Sequence, residues 1–145
     1  MVSNFDHVTI VVTNLNEAEQ FFRLLGFEVS KSVVISGVAM DAYMQVPGIE
    51  ADHITLAIPD ADPREEIQLL HYRRPEVVVD ERSGDLIRTG FNHVCFRVSS
   101  LDAALEKLAT AGIKPRNQPM VFHDRKLVFV DGPSNVVVEL AEWID

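Results

Sequence analysis

Two histidines stand third in a motif that occurs twice: F-D-H-V-T-I-V-V-T-N-L-N-E-A from Phe5 to Ala18, and F-N-H-V-C-F-R-V-S-S-L-D-A-A from Phe91 to Ala104. Phe5, His7, Val8, Leu15, Ala18 and Gly26 meet Phe91, His93, Val94, Leu101, Ala104 and Gly112 at one offset, 86 residues. A shared offset over that length argues duplication. Two copies of one unit, each with an imidazole at the same place in its first strand, can bring two nitrogen donors to one metal ion across a pseudo-twofold axis. An acid, Glu139, interrupts the apolar closing run V-V-V-E-L, and Gln68 holds the matching place in E-I-Q-L-L. Four polar side chains, His7, Gln68, His93 and Glu139, thus occupy equivalent places.

The elements that must position them follow from the pattern. Phe5 to Val12 is rich in β-branched and aromatic residues, and Asn14 with Glu17 resembles a helix cap and its reciprocal acid. Leu15, Ala18, Phe22 and Leu25 recur at helical spacing, and Gly26 is suited to end the helix in the left-handed conformation. The second copy repeats this with Ser99 or Ser100 as cap, Leu101, Ala104, Leu108 and Ala111 as the buried stripe, and Gly112 as terminator. Further strands are expected over 27–36, 51–59 and 65–73, with 37–48 as an excursion holding a helical turn at 40–44, and over 117–123, 126–131 and 135–143. The reading is an α+β chain of two tandem βαβββ modules, about 4–73 and 91–145, joined by a linker at about 74–90 within a single domain spanning 1–145.

Alternation along strands decides which side chains can meet. Val8, Ile10 and Val12 pack on the helix while His7, Thr9 and Val11 face away, and His93, Cys95 and Arg97 oppose Val94, Phe96 and Val98. His71 has the opposite parity from Gln68 and is assigned to the helix layer or an edge. His53, Tyr43, Cys95 and Met120 are the candidate lining of a substrate pocket, although methionines at such places are commonly core filler. Arg73, Arg74, Arg116, Arg125 and Lys126 suit either an anionic substrate or an ordinary solvated surface, and the surface role is favoured.

Composition bounds the partners. The 145 residues, 47% of them hydrophobic, suffice for one ordinary core. One cysteine excludes a disulfide framework and a thiolate-rich zinc site. Twenty-two acidic against 13 basic residues, net charge −9, oppose nucleic acid and anionic lipid. No apolar stretch approaches the roughly 20 residues of a membrane span, and no signal peptide is evident, so a cytoplasmic location and a small-molecule partner are expected. Apolar edges on the first and last strands of the repeat predict a homodimer.

The paired motifs, the two histidines, the hairpin L-V-F-V-D-G-P-S-N and the closing V-V-V-E-L together resemble the vicinal oxygen chelate superfamily over nearly the whole chain. That family includes glyoxalase I, methylmalonyl-CoA epimerase, extradiol dioxygenases and proteins of bleomycin and fosfomycin resistance. The resemblance implies a cup-shaped sheet around one divalent metal per chain, with His7, His93 and Glu139 as ligands. Glutamine at position 68 makes the set most similar to the epimerase. Two imidazoles, an amide oxygen and a carboxylate suit Zn, Ni, Co, Mn or Fe and leave one or two positions open. The implied activity is proton transfer at a carbon next to a carbonyl, as in an isomerase, epimerase or lyase, with Glu139 as base. The family's second acid is not singled out by spacing: Asp41, Glu50 and His53 all lie near the segment. Two other readings stand beside this one: an Fe(II) dioxygenase using His7, His93 and Glu139, and a metal-free binding protein of the antibiotic-sequestering kind.

Overall fold

A computed structural model describes residues 1–145, which divide into two compact units, Met1–Val79 and Asp80–Asp145. In the first, β1 (His7–Val11) leads through α1 (Leu15–Leu24) to β2 (Glu28–Ser36), α2 (Val38–Met44), β3 (Glu50–Ala57) and β4 (Glu66–Arg74). The sheet order is β1-β4-β3-β2, with β1 parallel to β4 and the other pairs antiparallel. The second unit holds β5 (Val94–Val98), α3 (Leu101–Ala109), β6 (Met120–Phe122), β7 (Arg125–Asp131) and β8 (Val137–Trp143), ordered β5-β8-β7-β6 with the same parallel and antiparallel pairings. The two modules are therefore one topology built twice, an α+β fold with two mixed four-stranded sheets. No helix is long and apolar enough to cross a membrane.

Each helix forms where the periodicity places it. Asn14 caps α1, its side chain accepting from the Glu17 backbone N–H at 3.0 Å, and Ala18, Phe21 and Phe22 bury one face. Phe22 meets Phe21 and Phe27 edge to face at 5.2 and 5.7 Å between centroids. Ser100 caps α3 through the Ala103 N–H, while the Glu142 carboxylate accepts from the Leu101 N–H at 2.6 Å. A negative group there also complements the positive end of the helix. Against these helices the sheets turn Ile10, Val12, Ile54, Leu56, Ile67 and Leu69 in the first unit and Val128, Val130, Val138 and Leu140 in the second, all buried.

Three segments depart from the expected elements. The excursion after β2 contains seven helical residues, Val38–Met44, closed by Asp41, whose carboxylate accepts from the backbone of Gly48 and Ile49. The strand expected over 117–123 shortens to Met120–Phe122. Pro119 has no N–H to give a ladder, and the Asn117 side chain, in place of its backbone, accepts from the Phe129 N–H at 3.0 Å. The closing strand begins at Val137, because Ser134 and Asn135 adopt left-handed backbone at φ 52 and 62 in the preceding turn.

Within the second half of the expected linker, Gly84 is buried against the second unit while its neighbours are exposed. Arg116 Nη2 donates to the Gly84 carbonyl at 2.9 Å, and a Cβ at Gly84 would lie 3.1 Å from both that nitrogen and the Asn135 carbonyl. Arg116 also pairs with Asp131 at 2.8 Å. On the helix side of the first sheet, Asp52 accepts from Arg73 Nη2 at 2.7 Å and from His71 Nδ1 at 3.1 Å, so His71 lies where its parity puts it.

Two stability outcomes follow. Leu140→Ala, at a fully buried position in the second sheet, is expected to cost about 2–5 kcal/mol in urea unfolding. The hydrogen bond from Arg73, then that from His71, holds the Asp52 carboxyl below its ordinary value of 3.8. A lowered carboxylate adds stability that is present above the unfolded value and is lost as pH falls through the folded one. Asp52→Asn should therefore destabilise the protein at pH 7 and leave a smaller difference from the parent below about pH 3, read from melting curves at the two pH values.

Candidate metal and ligand face

The parallel pairing of the first and last strands of each module decides what stands beside what. In the second unit Cys95 lies opposite Glu139, and in the first Thr9 lies opposite Gln68, so Gln68 and Glu139 are equivalent in structure as well as in sequence. Registered neighbours share a sheet face. Phe129 joins Cys95 and Glu139, and Thr55 joins Thr9 and Gln68.

In the second unit the His93 ring meets Phe129 edge to face at 5.1 Å and places Nε2 3.7 Å from Glu139 Oε1. Its Nδ1 stands 2.7 Å from Asn92 Oδ1. An amide oxygen only accepts, so Nδ1 carries the proton, and in the neutral imidazole Nε2 presents its lone pair toward the carboxylate. Two donors bound about 2.0–2.2 Å from one ion stand about 3.0–3.5 Å apart. A small side-chain rotation brings 3.7 Å to that value, so the His93 and Glu139 pair fits a divalent cation. A neighbour that fixes the far nitrogen of a ligating imidazole is the usual second partner of such a site.

The first unit repeats half of this device. His7 Nδ1 lies 2.5 Å from Asp6 Oδ1, which again assigns the proton to Nδ1 and leaves Nε2 as donor. Asp6 and Asn92 are the residues immediately before the two histidines, and the sequence reading passed over them. Their signal was present: an oxygen acceptor at the same place in both copies. Gln68 is more committed. Its Oε1 accepts from His53 Nε2 at 3.1 Å and faces Thr9 Oγ1 at 3.5 Å, while its Nε2 donates to Glu66 Oε1 at 3.2 Å. That last bond fixes which end of the amide is oxygen. Ligation by Gln68 would have to displace one of these partners, since a carbonyl oxygen has two lone pairs.

The remaining candidates separate. His53 shares the ligand face through Gln68, and Cys95 does so through Glu139. Met120 is registered with Leu127 on β7 and is exposed, and Tyr43 stands exposed on α2. Of the possible second acids, Asp41 closes the loop after α2, and Glu50 pairs with Arg73 and Arg74, so His53 is the one on the same face as Gln68. No three His, Cys, Asp or Glu side chains gather as a metal-holding group. The structure brings His93 to Glu139, and Gln68 to His53.

The whole motif from residue 4 to 140 matches the model of the Glyoxalase/Bleomycin resistance protein/Dioxygenase superfamily. No curated protein matches by sequence at a significant level. Among solved structures, a glyoxalase family protein from Bacillus cereus is similar with a TM-score of 0.90 at 20% identity, covering 100% of this chain and 97% of that one. The fosfomycin resistance protein FosX from Listeria monocytogenes is similar with a TM-score of 0.62 at 17% identity, over 98% and 94% of the two chains. TnmS3, an antibiotic binding protein from a Streptomyces species, is similar with a TM-score of 0.63 at 16% identity, over 98% and 97%. At these identities the likeness is one of fold.

Desolvation of the sulfur, although the residue as a whole is exposed, and a hydrogen bond to Glu139 push the Cys95 thiol up to about 12. The thiolate is the reactive form. In EDTA-treated protein the sole cysteine should therefore react slowly with a disulfide reagent at pH 8, and Glu139→Gln, which removes the neighbouring charge, should speed it severalfold. Equal rates in parent and variant would show that Glu139 does not hold the thiol.

Proposed function

We infer the function from one premise, that the chain belongs to the Glyoxalase/Bleomycin resistance protein/Dioxygenase superfamily. That superfamily holds both enzymes and proteins that bind without reacting. The reading favoured for this chain is a divalent-metal-dependent isomerase, epimerase or lyase that moves a proton at a carbon next to a carbonyl. The observation that carries it is the pairing of His93 Nε2 with Glu139 Oε1 at 3.7 Å, with His93 Nδ1 held by Asn92. His93 and Glu139 supply one pair of donors. His7, oriented by Asp6 in the same manner, and Gln68 are the donors offered by the duplicated module.

Bound to these residues, a divalent ion supplies Lewis-acid polarisation of a substrate oxygen. The chain's own residues do the rest. Asn92 and Asp6 fix the tautomers of the two imidazoles. Glu139 takes the proton from the substrate carbon and returns it, the Cys95 S–H donating to the carboxylate at its other side. His53, whose Nε2–H is held by Gln68, presents Nδ1 as a proton carrier on the ligand face of the first module.

A second reading draws on Gln68. Its amide oxygen is already met by His53 and Thr9, an arrangement that needs no ion and suits a face that binds a ligand without chemistry. Elemental analysis of the freshly purified protein separates the two. About one transition-metal ion per chain is expected, lost in a His7→Ala, His93→Ala double variant, and Glu139→Gln should lower proton exchange at carbon about 100-fold or more. Iron with oxygen uptake would transfer the site to the dioxygenase class. A parent that takes up no metal on reconstitution would leave the binding protein.

A further inference from the structure

We propose that the second sheet carries an anion seat built from Arg97 and Arg125 on the Trp143 ring, which receives the carboxylate or phosphate of the substrate. Arg97 shares its face with His93 and Cys95 through strand alternation. Arg97 lies opposite Ala141, and Arg125 lies opposite Trp143. The two Cζ atoms stand 4.7 and 4.3 Å from the centroid of that indole. Trp143 thus holds two guanidiniums at once.

Three features point to a ligand in place of surface decoration. Like charges drawn to one ring repel each other, so the arrangement gains from an anion bound at their exposed edges. Guanidiniums stacked on an aromatic face also keep their edge N–H groups free for the forked contact that carboxylates and phosphates make. Finally, the chain withholds its own acids. Arg73, Arg74, Arg116 and Lys126 all have carboxylate partners, at 2.7, 2.9, 2.8 and 3.7 Å. Arg125 has only Asp124 at 3.8 Å, and the Arg97 side chain makes no ion pair or hydrogen bond while 22 acidic residues are available. An acidic protein that leaves Arg97 without a carboxylate and Arg125 with only a long contact to Asp124 on this face has a place for a foreign anion.

Glu139 lies two residues from Ala141 and four from Trp143 on β8, so the seat begins roughly 7–13 Å along the strand from the acid. The substrate class that fits is a small molecule with an anionic tail remote from its reacting carbon. Placing that carbon at Glu139 rests on the function proposed above; the anion seat does not.

Trp143 is the chain's single tryptophan, so its emission reports the seat directly. EDTA-treated protein would be titrated with inorganic phosphate and with malonate, against sodium chloride at matched ionic strength. A saturable change in emission is expected with one or both anions, and the stronger arm tells phosphate from carboxylate. Arg97→Gln and Arg125→Gln should each raise Kd at least tenfold with an unchanged circular dichroism spectrum. Arg97→Lys, which keeps the charge and loses the fork, should bind more weakly than the parent and more tightly than Arg97→Gln, and Lys126→Gln should bind like the parent. A response that chloride reproduces, or one unchanged in both glutamine variants, would overturn the seat. Because no metal is present, failure here is distinct from failure to find metal in the purified protein.

Discussion

The parallel pairing of each module's first strand with its last is the constraint on which the site depends. A parallel pair cannot be closed by a tight turn, so two helices and two strands intervene between β1 and β4, and a helix and two strands between β5 and β8. The helix covers one face of the sheet with the apolar half of every strand. The other half, led by the histidine, is left facing away. The same pairing sets Thr9 against Gln68 and Cys95 against Glu139, so polar residues far apart in sequence come into one row without any loop having to hold them.

Charge is distributed by the same two faces. On the helix side and at the edges, carboxylates are spent on neighbours: Asp52 on Arg73 and His71, Glu50 on Arg73 and Arg74, Glu142 on the start of α3. On the opposite side of the second sheet, Glu139 meets only a thiol and an imidazole, and Arg97 meets only an indole. Exposed pairs of the first kind contribute little stability each. Their effect is to quiet the surface, so that the groups left without such partners lie on the opposite face of the second sheet.

The two modules have diverged in what their closing strands carry. Glu139 places a carboxylate oxygen 3.7 Å from His93, while Gln68 is held by three side chains and orients His53. Replacing a carboxylate by an amide at one of two equivalent places removes one negative charge and converts an acceptor-only group into one that also donates. Duplication supplied the frame, and this single difference sets the two closing strands apart in charge and in hydrogen-bonding capacity.

Strand, helix and module order were legible in the chain because periodicity, caps and glycine terminators are local: Asn14, Ser100, Gly26 and Gly112 act within a turn of their own position. The candidates His7, Gln68, His93 and Glu139 were legible because duplication marks them twice and alternation fixes their face. What a residue touches was not. That Asp41 closes a loop, that Gln68 is bound to His53, and that Arg97 and Arg125 share one indole are consequences of strand register and side-chain reach. Register is set by the packing of the whole sheet against its helix, and a sequence pattern of period two carries the face of each residue without naming the neighbour across the strand.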